Sequence, residues 1–306
     1  MTDVVTDSSG PYDVVWLDNG VLRLGIVPAL GGRLLSLVHD GDELLWRDPN
    51  LLDDRLHPVR GHRPERTSGP MANWRNYGGD KTWPAPQGWS SDAEWAGPPD
   101  PVLDSGPYRA DVRDGRVTLT SEHDPRTGLR LRREIEPDGA AYALRLTAVN
   151  ETAEPVRWAL WNVAQYPGGG TVRVDVGPES GDPVGLAVGT AAPAWTRPEP
   201  GTIEVPAQDV VGKLGFPGAT GRLTYTRAGH RLTMDFGVRD GAVYPDGGSR
   251  AEVWMEHPLP RPLDHLGGLN PPDRIVECEA LGPWEPIAPG DSTSLAVRVG
   301  VERTEA

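Results

Sequence analysis

Along most of this chain hydrophobic and polar positions alternate with a period of two, the signature of strands with one face buried. Residues 14–17 and 21–27 flank Asp18-Asn19-Gly20. Asn-Gly supplies the positive φ angles of a tight turn, so these runs predict a β-hairpin. In the second run Leu22, Leu24 and Ile26 share one face, opposite Arg23 and Gly25. Pro28 ends it, residues 29–33 make a tight loop, and runs at 34–38 and 43–46 around Asp40-Gly41-Asp42 extend the meander. Residues 1–12 read as a frayed start.

The alternation returns at 110–113, 116–121, 129–136, 141–150, 156–165, 172–176, 210–216, 222–227, 231–236, 250–256, 274–281 and 294–301. Residues 177–202 and 258–273 read as loops. No helix longer than a turn or two is predicted, and neither a fixed repeat nor a linker divides the chain. The expectation is an all-β protein, one large antiparallel β-sandwich domain over residues 1–306.

A long excursion with little regular structure interrupts this pattern at 47–107, and long excursions in a compact domain are usually functional or disordered. Within it, residues 73–89 read NWRNYGGDKTWPAPQGW, with Trp74, Trp83, Trp89, Tyr77, Gly78-Gly79 and the charged Arg75, Asp80 and Lys81. No period fits, and the glycines and prolines predict an irregular loop. Indole carries large apolar area and one N–H donor. The loop is therefore expected to fold over the sheets and wall a pocket. Sugars suit such walls, their C–H faces stacking on Trp74 and Trp83 while Asn73, Arg75, Asp80 and Lys81 take hydroxyls. The same indoles also fit a structural plug at the end of a sandwich.

Composition narrows the picture. Glycine and proline supply 38 and 32 of 306 residues, and their spread between short apolar runs fits many turns. The net charge of −14 argues against a nucleic-acid surface or an anionic membrane, both of which want a basic stripe. The single cysteine, Cys278, excludes an internal disulfide and a Cys-rich metal site. The first residues carry no basic segment followed by an apolar core, so a cytoplasmic protein, monomer or homodimer, is expected.

Two late runs carry candidate chemistry. In RIVECEAL, period two puts Glu277 and Glu279 on one face, roughly 7 Å apart. In AEVWMEH the same period groups Glu252, Trp254 and Glu256. Side by side, the two strands would line an acidic, aromatic surface, where desolvation and repulsion raise a carboxylate pKa toward neutrality. A solvent-facing edge with harmless charges is the plain alternative. In RWALWNVAQ, Trp161 and Gln165 share one face and Asn162 lies on the other; amides in so apolar a run need partners, from ligand hydroxyls or backbone. Lys213, in the run 210–216, joins the candidate substrate contacts. None of the seven histidines has zinc-protease spacing, no phosphate loop or nucleophile elbow occurs, and neither metal nor cofactor is expected.

Three stretches carry a family resemblance: NGVLRLGIVPALGGRLLSLVHDGDELLW, RREIEPDGAAYALRLTAVNETAEPVRWALWNVAQ and IVECEALGPWEPIAPGDSTSLAVRVG. They are similar to the first, middle and closing strands of the galactose mutarotase-like (aldose 1-epimerase-like) superfamily. The loop GGDKTWPAPQGW looks most like a bacterial branch of it. The resemblance implies a β-supersandwich and an enzyme in which a histidine acid and a glutamate base open and reclose a sugar ring. Where those enzymes carry the histidine, this chain reads Trp161-Asn162-Val163, and an amide cannot transfer a proton as imidazole does.

The glutamate role falls on Glu277 or Glu279; in an enzyme reading Lys81 or His62 would replace the acid (His257 and His265 are further candidates), and Arg33, Trp74 and Trp83 would hold substrate. Two other readings remain open: a non-catalytic carbohydrate-binding protein, or a repurposed isomerase, lyase or cyclase acting on a non-sugar metabolite.

Overall fold

The period-two runs form two antiparallel sheets in a computed structural model that describes residues 2–304 except Trp89, Ser90 and Asp92. In spatial order the first sheet runs Asp3–Asp7, Val14–Asp18, Leu22–Val27, Arg33–His39, Asp80–Ala85, Val156–Pro167, Ile275–Leu281, Ala251–Glu256, Gly212–Phe216 and Val184–Val188. Two short strands join it, Asp42–Glu43 beside Arg33–His39 and Glu285–Ile287 beside Val156–Pro167. The second sheet runs Thr196–Glu199, Thr202–Val205, Thr171–Val176, Ala219–Arg227, His230–Phe236, Ser292–Arg303, Ala141–Asn150, Leu129–Asp138, Arg116–Thr120 and Arg109–Arg113. Their inner faces share a hydrophobic core that includes Ala164, Val253 and Cys278 from the first sheet and Leu131, Ile135 and Leu144 from the second. Helical structure among the described residues is limited to three short 3-10 turns, none long and apolar enough to cross a membrane.

Several expectations need correction. Residues 3–7 are not frayed but form an edge strand paired with Val14–Asp18. The stretch 177–202 contains the strands Val184–Val188 and Thr196–Glu199, both largely exposed at sheet edges, where packing imposes no alternation to read. The return run at 43–46 shortens to Asp42–Glu43.

The largest correction lies in the excursion. Asp80–Ala85 is not loop but a fully buried strand between Arg33–His39 and Val156–Pro167. Gly78 and Gly79 turn the chain into it, with φ of 89° and 75°. A Cβ on Gly78 would stand 2.2 Å from the Trp46 carbonyl oxygen, and one on Gly79 2.3 Å from that of Leu34, so only glycine fits. The rest of the excursion is irregular but packed, with Tyr77, Trp95 and Leu103 all buried. Trp89, counted among the wall indoles, lies outside the described residues.

One ion pair bolts this strand to the opposite sheet. Arg133, from Leu129–Asp138, meets the Asp80 carboxylate, and both side chains are fully buried. The guanidinium also donates to the carbonyls of Gly32 at 2.6 Å and Asp80 at 3.0 Å. Asn162 and Tyr142 donate to the other carboxylate oxygen at 3.1 and 3.3 Å. A charge out of water is tolerated only when paired and hydrogen-bonded in this way. Removing one partner strands the other, so Asp80→Asn or Arg133→Met should each cost about 3–5 kcal/mol. The double variant Asp80→Leu/Arg133→Met should cost clearly less than the sum. Urea unfolding checks this, and two small, additive losses would refute it.

Candidate functional site

Because Asp80 points between the sheets, its neighbour Lys81 points the other way, onto the outer face of the first sheet. Register carries that face across five strands. Lys81 and Trp83 lie opposite Val163 and Trp161, and Val163 and Gln165 lie opposite Glu279 and Glu277. Glu279 and Glu277 in turn face Glu252 and Trp254, and Trp254 faces Lys213. Pairing alone thus gathers two lysines, several glutamates and three indoles on one surface.

The excursion closes one side. Arg33 donates to the Gly78 carbonyl at 3.1 Å and pairs with the Asp104 carboxylate, whose other oxygen accepts Trp74 Nε1 at 2.9 Å. Trp74 lies 6.3 Å from Trp83, and Trp83 packs 5.2 Å from Trp95 and 5.3 Å from Trp161, centroid to centroid.

The charges fall into two groups of different character. In one, Lys213 Nζ lies 2.5 Å from Glu252 and 2.9 Å from Glu279, and 4.1 Å above the Trp161 ring. Trp161 Nε1 also donates to Glu279 at 2.6 Å. Burial pulls the Lys213 ammonium down, but the two carboxylates outweigh it and hold the lysine charged far above neutrality. Burial raises Glu252 strongly and Glu279 as well, against the attraction of Lys213. Lys213 thus stays a cation between two carboxylates.

In the other group, Lys81 Nζ lies 3.4 Å from Glu277 and 4.9 Å from the centre of the Trp83 ring, and is almost wholly buried. Burial brings its pKa down to about 8, the pull of Glu277 notwithstanding. Gln165 Nε2 donates to the same Glu277 oxygen at 2.5 Å. Glu256 receives Trp254 Nε1 at 2.8 Å, and burial, reinforced by the charge of Glu277, raises it to about 8. Three buried polar atoms here have no hydrogen-bond partner: Gln165 Oε1, Glu256 Oε2 and Trp83 Nε1. Two acceptors and one donor are thus buried without a partner, whereas no three His, Cys, Asp or Glu among the described residues converge as metal ligands.

Other sequence candidates lie elsewhere. Asp80 and Asn162 face the core, because period two turns them inward with Ala164 and Ala280. Asn73 is exposed and donates to the Ser68 carbonyl at 3.0 Å, and Arg75 is exposed. His62 is bonded to the Tyr77 hydroxyl at 3.0 Å beside a separate hydrophobic cluster, and burial and Arg75 lower its pKa. His265 is exposed at the Val188 carbonyl. Asp104 escaped the sequence reading, since nothing in PDPVLDSGP marks it. Glu256 shared the period of Glu252 and Trp254 but was not counted with the site.

No protein-family model matches the chain, and no curated protein matches it in sequence. Solved structures do resemble it. A galactose mutarotase-like protein from Lactobacillus casei ATCC 334 superposes with a TM-score of 0.59 at 13% identity, over 94% of this chain and 100% of that one. A galactose mutarotase-like protein from Clostridium acetobutylicum gives 0.58 at 9% identity, over 99% of each chain. A TPR-domain containing protein from Parabacteroides distasonis ATCC 8503 gives 0.57 at 16% identity, over 96% of this chain but only 48% of that longer one. The chain has the galactose mutarotase-like β-sandwich fold; identities this low carry the fold alone.

The raised pKa of Glu256 has a measurable sign. Folded it titrates at about 8 against an ordinary value of 4.5, so between these pH values the folded state binds more protons. Its stabilising contribution is full below pH 4.5 and lost as pH rises through about 8. Lys81 acts oppositely, its folded value of about 8 lying below 10.5, so its burial penalty is relieved only as pH climbs between them. Unfolding free energies from pH 5 to 8 should therefore fall more steeply in the native protein than in Glu256→Gln; parallel curves would contradict the assignment.

Proposed function

We propose that the outer-face site opens and recloses a cyclic sugar or sugar-like polyol by general acid–base catalysis, in the manner of an aldose 1-epimerase. The observation that carries this reading is the buried Lys81–Glu277 pair at 3.4 Å. It joins an ammonium that titrates at about 8 to a carboxylate, with unpartnered hydrogen-bonding atoms nearby. A proton donor and acceptor near working pH are what ring opening needs. In the proposed cycle Glu277 takes the proton from the anomeric hydroxyl while Lys81 gives one to the ring oxygen. The ring carbon–oxygen bond breaks, the open aldehyde turns, and the reverse transfers close the other anomer. Trp74, the half-buried indole packed on Trp83, offers a face for sugar C–H groups, and Gln165 Oε1 accepts a hydroxyl. Glu279, Glu252 and Lys213 hold the adjoining charge still, which leaves Glu277 rather than Glu279 as the base. Lys81 takes the acid's part, since His62 lies in another cluster.

A second reading, a carbohydrate-binding protein without chemistry, draws support from Asn162, an amide directed into the core where the resembled enzymes carry their histidine.

Anomer exchange in a panel of aldoses, followed by polarimetry or exchange NMR, separates the two. The native protein should exceed the buffer rate. Glu277→Gln and Lys81→Met should each lose about 10²–10⁴-fold, and the rate should fall as pH rises through about 8, where Lys81 gives up its proton. Sugar binding with no acceleration for any aldose would leave only the binding reading.

A further inference from the structure

Asp100 and Asp104, on one turn of the excursion, each hold an indole by its N–H. Asp100 Oδ2 accepts Trp95 Nε1 at 3.1 Å, and Asp104 Oδ2 accepts Trp74 Nε1 at 2.9 Å. The two indoles pack against Trp83 at 5.2 and 6.3 Å. The turn is itself fixed. Asp100 Oδ1 accepts the backbone N–H groups of Val102 and Leu103 at 2.8 and 2.6 Å. Gly31 donates to the Gly106 carbonyl at 3.0 Å. A Cβ on Gly31, whose φ is 67°, would stand 2.0 Å from the Asp104 carbonyl oxygen, so the turn docks where only glycine lets it approach. The two indoles differ in where they lie. Trp95 is fully buried, whereas Trp74 is half-buried. The two aspartates differ as well, since the second oxygen of Asp104 pairs with Arg33 in full burial. Arg33, a substrate contact by sequence, is instead taken up by Asp104 and by the Gly78 carbonyl.

We propose that Asp104, backed by Arg33, is a positioning residue of the outer-face site: it sets the plane of the Trp74 indole on which a sugar stacks. This role rests on the sugar-site reading above. A charge-assisted hydrogen bond is directional, so an indole held by its single N–H and packed on Trp83 keeps one orientation. Holding a contact surface in place before the ligand arrives favours binding. An amide at 104 cannot stand in for the carboxylate, because it offers one acceptor oxygen where Arg33 and Trp74 bring two donors. Asp104 also acts on Lys81 through charge. Glu277 and Asp104 favour the Lys81 ammonium and Arg33 opposes it, while Asp80 and Glu256 feel the same lysine. Without the Asp104 charge, Arg33 would act on Lys81 uncompensated. Asp100 has no such reach: its indole is sealed in the core and no arginine is bonded to it.

Calorimetric titration of the full chain with the same panel of aldoses, joined to anomer-exchange rates across neutral and mildly alkaline pH, tests this on three variants. Trp74→Phe keeps a ring but loses the donor. It should weaken sugar binding about tenfold, the scale set by one hydrogen bond to a charged group, and leave the fall in rate near pH 8 in place. Asp104→Asn should weaken binding at least as much and move that fall to lower pH, because an anion favouring the Lys81 ammonium is gone. Asp100→Asn should lower the urea midpoint yet keep native affinity and the native pH profile. Should Asp104→Asn fail to fold, Trp74→Phe against Asp100→Asn decides. Native affinity in Trp74→Phe, or an Asp100→Asn that matches Asp104→Asn in every readout, overturns the proposal. Aldoses that bind the native protein and Trp74→Phe alike sink this role and leave the sugar-site reading standing. No aldose bound by the native protein sinks that reading, and this role with it.

Discussion

The buried pair between Asp80 and Arg133 is the constraint on which the rest of the architecture turns. It fixes how the strand Asp80–Ala85 enters the middle of the first sheet, and it does so from the opposite sheet. Since successive side chains of a strand point to opposite faces, fixing Asp80 inward fixes Lys81 outward. A slip by one residue would bury the lysine and expose the aspartate. The two glycines before the strand serve the same end, because only they let the backbone pass between the Trp46 and Leu34 carbonyls. The ion pair of the core and that of the outer face thus begin at neighbouring residues, and the first aims the second.

The outer face then separates two uses of charge. Lys213, with two carboxylates and an indole ring against it, keeps its proton over any ordinary pH. Lys81, with one carboxylate at longer reach, is left able to exchange its own. Residue type does not distinguish them; the number and distance of counter-charges does. A surface built this way keeps a permanent cation in one half and a lysine of lowered pKa in the other.

Much of this was legible in the sequence because packing and alternation coincide there. The Asn19-Gly20 hairpin and the run 129–136 show it, and the period placed Glu277 with Glu279 and Trp161 with Gln165. Asp80–Ala85 was hidden for a physical reason: buried on both faces, with a lysine, an aspartate and a proline in six residues, it has no alternation to read. What holds it lies fifty residues on, in Arg133, whose clue is an arginine at the parity of Leu129, Leu131 and Ile135. Asp80 and Asn162 were drawn to the ligand because polar residues in apolar runs invite that reading; here they satisfy one another. His62 was attractive by chemistry alone, and nothing local told that its partner would be Tyr77.

The order of strands in the first sheet has a temporal consequence. Val156–Pro167 is flanked by Asp80–Ala85, laid down far earlier in the chain, and by Ile275–Leu281, which comes more than a hundred residues later. During synthesis from the N-terminus, the edge of Val156–Pro167 that will receive Glu277 stays open until residues 275–281 have emerged. An exposed central strand edge invites pairing with other chains, and such long-range closure is slow. The growing polypeptide therefore passes through a stage at which each sheet lacks a central strand, Ile275–Leu281 in the first and Ser292–Arg303 in the second.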